Sequence, residues 1–153
     1  MTSARPLSPE PRLRRARFAD LTPFEVYGLC RLRVDVFVVE QECPYPELDG
    51  RDVEPATEHL WFEAGGEVLA TIRVLDDGAT RAIGRVATAA HARGRGLAAR
   101  LIEEGIGRCG GAPITLGAQA HLEPWYERFG FRRSGPGYVE DGIPHVPMRR
   151  EPA

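Results

Sequence analysis

A chain of 153 residues with 42% apolar and 27% charged residues has the composition of one soluble globular domain and too little length for a second. The formal net charge of −2 argues against nucleic acid as a partner, and no stretch approaches the roughly 18 apolar residues of a membrane span. Cys30, Cys43 and Cys109 are an odd number outside any zinc or redox spacing, and the histidines lack ligand spacing, which favours free thiols, a cytoplasmic location and no metal.

The N-terminal segment, residues 1–11, carries three prolines and no apolar core. This composition predicts a flexible extension rather than a signal peptide. We therefore expect one folded domain over residues 12–153, which begins with a short Arg-rich edge strand at 13–18.

The first helix has a clear predicted start. Thr22 is placed to cap it, Pro23 suits its first turn, and Glu25 completes a capping box. Apolar residues then follow helical spacing to about Val38. Residues 40–57 are rich in proline and lack periodicity, which predicts a long ordered loop with at most a short helix.

The remaining chain predicts three consecutive strands and then two further helices with strands between and after them. Gly65-Gly66 is a strong hairpin signal between the first two of these strands. The predicted strands are 59–63, 67–75, 81–89, 114–117, 131–134 and 145–149; the predicted helices begin at Gly96 and near Leu122. The order is β-α-βββ-α-β-α-ββ, an α+β domain with a mixed central sheet.

The segment from His91 to Leu101 predicts an anion site. Gly94 and Gly96 stand one residue apart between a strand and a helix, so backbone N–H groups can converge without Cβ obstruction. The helix dipole adds to the attraction, and Arg93 and Arg95 supply positive charge for phosphate groups. A pyrophosphate is the ligand that this pattern suits.

Two other interpretations fit the same segment. Gly94-x-Gly96-x-x-Ala99 also matches the Rossmann dinucleotide fingerprint, but three hairpin-like strands precede it and no acidic residue ends the next strand. Taken alone, the segment could also be a glycine-rich turn with two solvated arginines.

A family resemblance adds to this local pattern. Arg93-Gly94-x-Gly96-Leu97-Ala98-x-x-Leu101 resembles the acetyl-CoA pyrophosphate loop of the GNAT acetyltransferases, and Trp125 to Phe131 resembles that superfamily's Y-x-x-x-G-F motif. Further segments resemble its ElaA-like branch: Val36 to Gln41, Cys43-Pro44-Tyr45, Asp49-Gly50, Leu116 to Leu122 and Glu140 to His145. The resemblance extends from about Phe18 to the end of the chain.

The resemblance implies the GNAT fold, with helices on both faces of the sheet, and acetyl-CoA as co-substrate. It also implies two sets of cofactor-binding residues: Val86, Ala87 and Thr88 beside the pantetheine arm, and Arg93, Gly94, Arg95, Gly96, Leu97 and Ala98 at the phosphates. By the same resemblance, a backbone N–H near Val86 or Ala87 polarises the thioester, an amine attacks directly in a ternary complex, and Tyr126 protonates the leaving thiolate.

Two departures from the family pattern matter. His91 stands where Gln or Arg usually opens the loop, and the predicted strand 81–89 contains no carboxylate to act as general base. The candidates for that base are Glu40, His145 and His59, or a chain of waters without a single base.

The acceptor is less defined by the sequence. Residues 40–58 hold seven acidic side chains against Arg51 alone, so an acidic loop can favour a cationic amine, although it can equally be a solvated loop. We expect a monomer or homodimer that binds neither nucleic acid nor membrane. Two alternative functions are a non-catalytic acyl-CoA-binding module and transfer of a longer acyl group, as in acyl-homoserine-lactone synthases.

Overall fold

The computed structural model describes residues 9–43 and 46–152, so most of the predicted N-terminal extension lies outside the described residues. The strands are β1 (Arg12–Arg17), β2 (Glu58–Ala64), β3 (Glu67–Asp76), β4 (Arg81–Thr88), β5 (Ile114–Gln119), β6 (Arg132–Arg133), β7 (Tyr138–Glu140) and β8 (Ile143–Arg150). The helices are α1 (Pro23–Arg33), α2 (Leu97–Gly107) and α3 (Glu123–Glu127). None of the helices in these ranges has the length and apolar run needed to span a bilayer.

The strands form one mixed sheet in the order β1-β2-β3-β4-β5-β8, with β6 and β7 both paired to the outer edge of β8. Within the described ranges, β4 and β5 are the only parallel neighbours, and every other pair is antiparallel. The predicted mixed sheet and α+β class are confirmed.

The end of the chain differs from the predicted order, because three strands follow α3 instead of two. The additional strand, β7, joins β8 through Asp141 and Gly142, whose φ angles of 50° and 77° are both positive. Positive φ at both central residues is what a two-residue hairpin turn with the twist of its strands requires, and Asp-Gly is a favoured pair for it. The sequence pattern did not predict this second turn, because the glycine-rich stretch before Tyr138 is itself typical of a turn.

Helix α1 begins as predicted. The Thr22 hydroxyl accepts a hydrogen bond from the Glu25 N–H at 3.1 Å, and the Glu25 carboxylate accepts one from the Thr22 N–H at 2.9 Å. The helix continues as a wider π-helical segment over Val34–Glu40, which closes with the Gln41 N–H on the Val36 carbonyl. Such segments often occur at functional sites, and this one ends beside the cavity described below.

The two longer helices cover opposite faces of the sheet. A Cβ on Gly105 of α2 would approach the Ile72 side chain to 2.9 Å, so α2 packs closely on that face of β3. Arg73, the next residue of β3, points to the other face and shares a carboxylate with Arg33 of α1. Side chains alternate along a strand, so the face toward α2 holds the main apolar core and the face toward α1 holds charged groups.

Those charged groups form a buried network that fixes the loop between α1 and β2. Arg33, 3% exposed, donates to Glu47 and Asp52, both at 2.7 Å. Arg73, 5% exposed, donates to Asp49 at 2.6 Å and to Asp52 at 3.1 Å. A buried cation is tolerated only with such partners, so these bonds tie the loop to α1 and β3.

We expect Glu47→Gln to destabilise the fold by about 3–5 kcal/mol, because it leaves the buried Arg33 guanidinium without one of its charges. Glu54→Gln, in the same loop, breaks an exposed pair with Arg51 and should cost under about 1 kcal/mol. Urea denaturation followed by circular dichroism measures both. Equal losses in the two variants would contradict the structural role given to the network.

Candidate active site

The parallel strands β4 and β5 separate soon after they pair. Their register contains two residue pairs, Arg81 with Ile114 and Ala82 with Thr115, and beyond these the strands diverge. A cavity of about 270 Å³ lies in the opening. Residues from β4, β5, α3, the β7–β8 hairpin and the end of the π-helical segment line it, among them Phe37, Gln41, Val86, Tyr126 and His145.

A bulge in β4 accompanies this divergence. Arg85 and Val86 together lie opposite one residue of β3, between the pairs Arg73–Gly84 and Thr71–Ala87. Arg85 has φ of 50°, a left-handed conformation that disfavours residues with a side chain. Bulges bend a strand and re-aim its side chains, and this one turns Arg85 toward the charged loop. No signal in the sequence predicted it.

One wall of the cavity is a row of side chains across three strands. Gln119, His145 and Tyr138 are direct cross-strand neighbours on β5, β8 and β7. The Tyr138 and His145 rings stack with centroids 5.5 Å apart. A Cβ on Gly117 would overlap the Tyr138 hydroxyl, so a glycine there is what allows the phenol to lie over β5.

The His145 ring is held in one tautomer. Its Nδ1 lies 2.7 Å from the carbonyl oxygen of Ile143, which can only accept, so Nδ1 carries the proton. In the neutral ring the lone pair then lies on Nε2, and the Glu140 carboxylate lies 3.9 Å from that nitrogen. The arrangement presents a proton acceptor in the wall of the cavity.

Tyr126 brings a phenol O–H, a group that can donate a proton, to the same cavity. It lies on α3, is 6% exposed and packs edge-to-face against Trp125 and Phe131. Burial raises the pKa of its phenol to about 12. Its hydroxyl has no hydrogen-bond partner in the described part of the chain, and the residue lines the cavity. It is therefore a protonated, unengaged acid at neutral pH.

The predicted phosphate loop has the backbone that an anion site needs. Gly94 and Gly96 have φ of 80° and 72°, and a Cβ on either would enter open space. No side chain caps the start of α2, so its first N–H groups remain available. Leu97 is buried in the core and anchors the helix, whereas Arg95 is exposed without a partner among residues 9–43 and 46–152.

Arg93 has both a carboxylate and a backbone carbonyl as hydrogen-bond partners. Its guanidinium donates two hydrogen bonds to Glu40, at 2.7 and 2.6 Å, and a third to the Thr88 carbonyl at 3.2 Å. The hydrogen bonds from Arg93 lower the pKa of Glu40, which makes this carboxylate a poor proton acceptor. A bound phosphate would compete with Glu40 for Arg93.

The three candidate bases therefore lie in different surroundings. Glu40 is paired at the phosphate loop, and His59 is 3% exposed with its Nε2 3.0 Å from the Asp52 carbonyl. Of the three, only His145 lines the cavity with Tyr126.

The expected charge of the acidic loop needs correction. Six of its seven acidic side chains pair with arginines, five of them with arginines from outside the loop. The six are Glu40, Glu47, Asp49, Asp52, Glu54 and Glu58. Their charge holds the loop in place and is largely neutralised, so the loop itself does not supply an attractive field for a cationic amine.

Several cavity residues were not identified as functional from sequence. The Gln119 amide donates to the Gln41 side-chain oxygen at 3.2 Å across the cavity, and Cys43 donates to the Asp141 carbonyl at 3.5 Å. These contacts join the segment after α1 to β5 and to the β7–β8 hairpin. All four residues lie in the segments that carried the family resemblance, which was the available signal.

Comparison with known proteins agrees with this geometry. The family model described as an acetyltransferase (GNAT) domain matches residues 29–152. UPF0039 protein Rv2851c of Mycobacterium tuberculosis is 46% identical over 143 residues, covering 90% of this chain and 92% of that protein. An acyl-CoA N-acyltransferase from Pseudomonas aeruginosa superposes with a TM-score of 0.88 at 42% identity, over 92% of this chain and 99% of that chain. Escherichia coli ElaA superposes with a TM-score of 0.87 at 36% identity, over 93% and 100%.

We expect Gly96→Val to raise the dissociation constant for CoA by about tenfold or more, because the side chain would enter the space over the α2 N–H groups. Gly78→Val is the matched control, since Gly78 also has positive φ and open space but lies in the β3–β4 turn. Calorimetric titration compares the two variants. Equal CoA affinities in them would show that the loop does not hold the phosphates.

Proposed function

The chain belongs to the GNAT acetyltransferase family, a family of acyltransferases, and we propose that it transfers the acetyl group of acetyl-CoA to an amine by direct attack in a ternary complex. The observation that carries the proposal is the cavity between β4 and β5. A protonated phenol from Tyr126 and an imidazole nitrogen of His145 that accepts a proton meet there.

We infer the position of the co-substrate from two backbone segments beside this cavity, the glycine loop before α2 and the edge of β4 that faces β5. The pyrophosphate takes the N–H groups from Gly94 to Ala98, and Arg93 exchanges Glu40 for phosphate oxygens. The pantetheine arm pairs along Val86 to Thr88, because no strand of the described residues pairs with that edge of β4 beyond Ala82. The thioester then reaches the cavity, where a backbone N–H near Val86 or Ala87 polarises its carbonyl.

The chemistry requires two proton transfers. The amine nitrogen forms a bond to the carbonyl carbon, and its proton passes to Nε2 of His145, which is free to accept because Nδ1 is already bonded. When the carbon–sulfur bond breaks, the sulfur takes the phenolic proton of Tyr126. The imidazolium of His145 then gives up its proton to solvent, from which the Tyr126 phenolate is protonated again. We assign the base to His145 rather than Glu40, because His145 lines the cavity with Tyr126 and Glu40 lies outside it, at the phosphate loop.

The size of the cavity is compatible with the proposed reactants. A volume of about 270 Å³ suits an acetyl group and part of a small amine. The presence of both a proton donor and a proton acceptor supports turnover over a purely binding role.

The proposal is tested by incubating the protein with acetyl-CoA and a panel of small amines and identifying products by mass spectrometry. We expect an acetylated amine, and we expect Tyr126→Phe to lower turnover by roughly 10²–10⁴-fold with CoA affinity nearly unchanged.

A thermal-shift titration with acetyl-CoA accompanies the assay, since ligand at about 100 times its dissociation constant stabilises a fold by about 2.7 kcal/mol. No shift at millimolar acetyl-CoA would refute the proposal.

The two candidate bases are separated by the pH dependence of turnover. We expect His145→Gln to remove the acidic limb of the pH–rate profile, because protonated imidazole cannot accept the amine proton. Glu40→Gln should retain that limb and bind CoA more tightly, since Arg93 no longer has to leave a carboxylate. Loss of the limb in Glu40→Gln alone would assign the base to Glu40 instead.

A further inference from the structure

The charged residues that line the cavity differ in whether an oppositely charged side chain balances them. Arg85, Glu140 and Asp141 line it. Arg85 pairs with Glu47 at 3.1 Å and with Asp49 at 3.3 Å, so carboxylates of the loop already balance its charge. No arginine of residues 9–43 and 46–152 lies within ion-pair distance of Glu140 or Asp141. The hairpin side of the cavity therefore carries unbalanced negative charge.

Glu140 stands close to the reacting position but outside it. Its carboxylate lies 3.9 Å from Nε2 of His145, and its side chain is 61% exposed whereas that of His145 is 13% exposed. His145 and the Tyr126 hydroxyl, which is buried and has no hydrogen-bond partner among residues 9–43 and 46–152, line the inner part of the cavity. The more exposed Glu140 lies toward its mouth.

This separation restricts what Glu140 can recognise. The nitrogen that attacks must be neutral, so it cannot keep an ion pair with a carboxylate during the reaction. A persistent partner for Glu140 must be a second cationic group on the same acceptor. An acceptor with a carboxylate at that point would meet like charge, because the one cation among the lining residues, Arg85, is already paired.

We propose, as an extension that rests on the acetyltransferase function, that the acceptor is a short diamine whose distal ammonium binds Glu140 while its other amino group is acetylated. With 3.9 Å between Nε2 of His145 and the Glu140 carboxylate, a hydrogen bond of about 2.8 Å at each end places the two nitrogens at most roughly 9.5 Å apart. That spacing fits linear diamines of about three to six carbon atoms. The Phe37 and Tyr138 rings provide apolar surface for the methylene chain.

The test compares cadaverine with n-pentylamine, which has the same carbon chain and one amino group. Release of CoA thiol gives kcat/KM for each amine in the unaltered protein and in Glu140→Gln. Glu103→Gln is the matched control, since Glu103 is exposed on α2 and lies outside the cavity. Product mass spectrometry verifies a single acetyl group on the diamine, and the acetyl-CoA thermal shift is recorded for every variant.

We expect cadaverine to exceed n-pentylamine in kcat/KM, and Glu140→Gln to lower the value for cadaverine about ten- to a hundredfold, mainly through KM, with under about threefold change for n-pentylamine. Glu103→Gln should leave both values unchanged. Equal loss for the two amines would make Glu140 a support for His145 and overturn the proposal, as would acetylation of neither amine with the thermal shift retained. Loss of the thermal shift in the unaltered protein would instead refute the acetyltransferase function.

Discussion

The buried guanidinium groups of Arg33 and Arg73 are the constraint from which the site follows, because a cation in the interior must retain carboxylate partners. Both partners of each come from the loop between α1 and β2, which has one short helical turn and no strand among its described residues. The hydrogen bonds from Arg73 hold the pKa of Asp49 well below its usual range. A depressed carboxyl pKa contributes stability that is present above the unfolded-state value and lost as the pH falls through the folded-state value, so the loop is fixed at neutral pH.

The fixed loop in turn sets the shape of the cavity. It supplies the carboxylates that hold Arg85 in its left-handed conformation at the bulge, and the strand edge beyond this point is free of β5. The same loop reaches the β7–β8 hairpin through Cys43 and Asp141. Tyr126 and His145, which come from separate elements, then line one cavity. A site formed in this way depends on charge matching as much as on apolar packing.

Features governed by local chemistry were predictable from the sequence, and features governed by distant contacts were not. The capping box at Thr22 and the two glycines at the start of α2 depend on neighbouring residues, so their patterns were sufficient. The pairing of Glu40 with Arg93 joins residues 53 positions apart, and no pattern in either segment predicts this contact. The bulge at Arg85 was not predictable either, because Arg85 contacts a loop residue, Glu47, that lies nearly forty positions earlier in the chain.

The central claim is that the divergence of β4 and β5 receives the thioester of acetyl-CoA, and a crystal structure of the protein with CoA tests it most directly. The account predicts the CoA sulfur within about 3.5 Å of the Tyr126 hydroxyl, the pyrophosphate on the N–H groups of residues 94–98, and Arg93 released from Glu40. A sulfur atom positioned away from the cavity that Tyr126 and His145 share, or a pyrophosphate away from that loop, would contradict it.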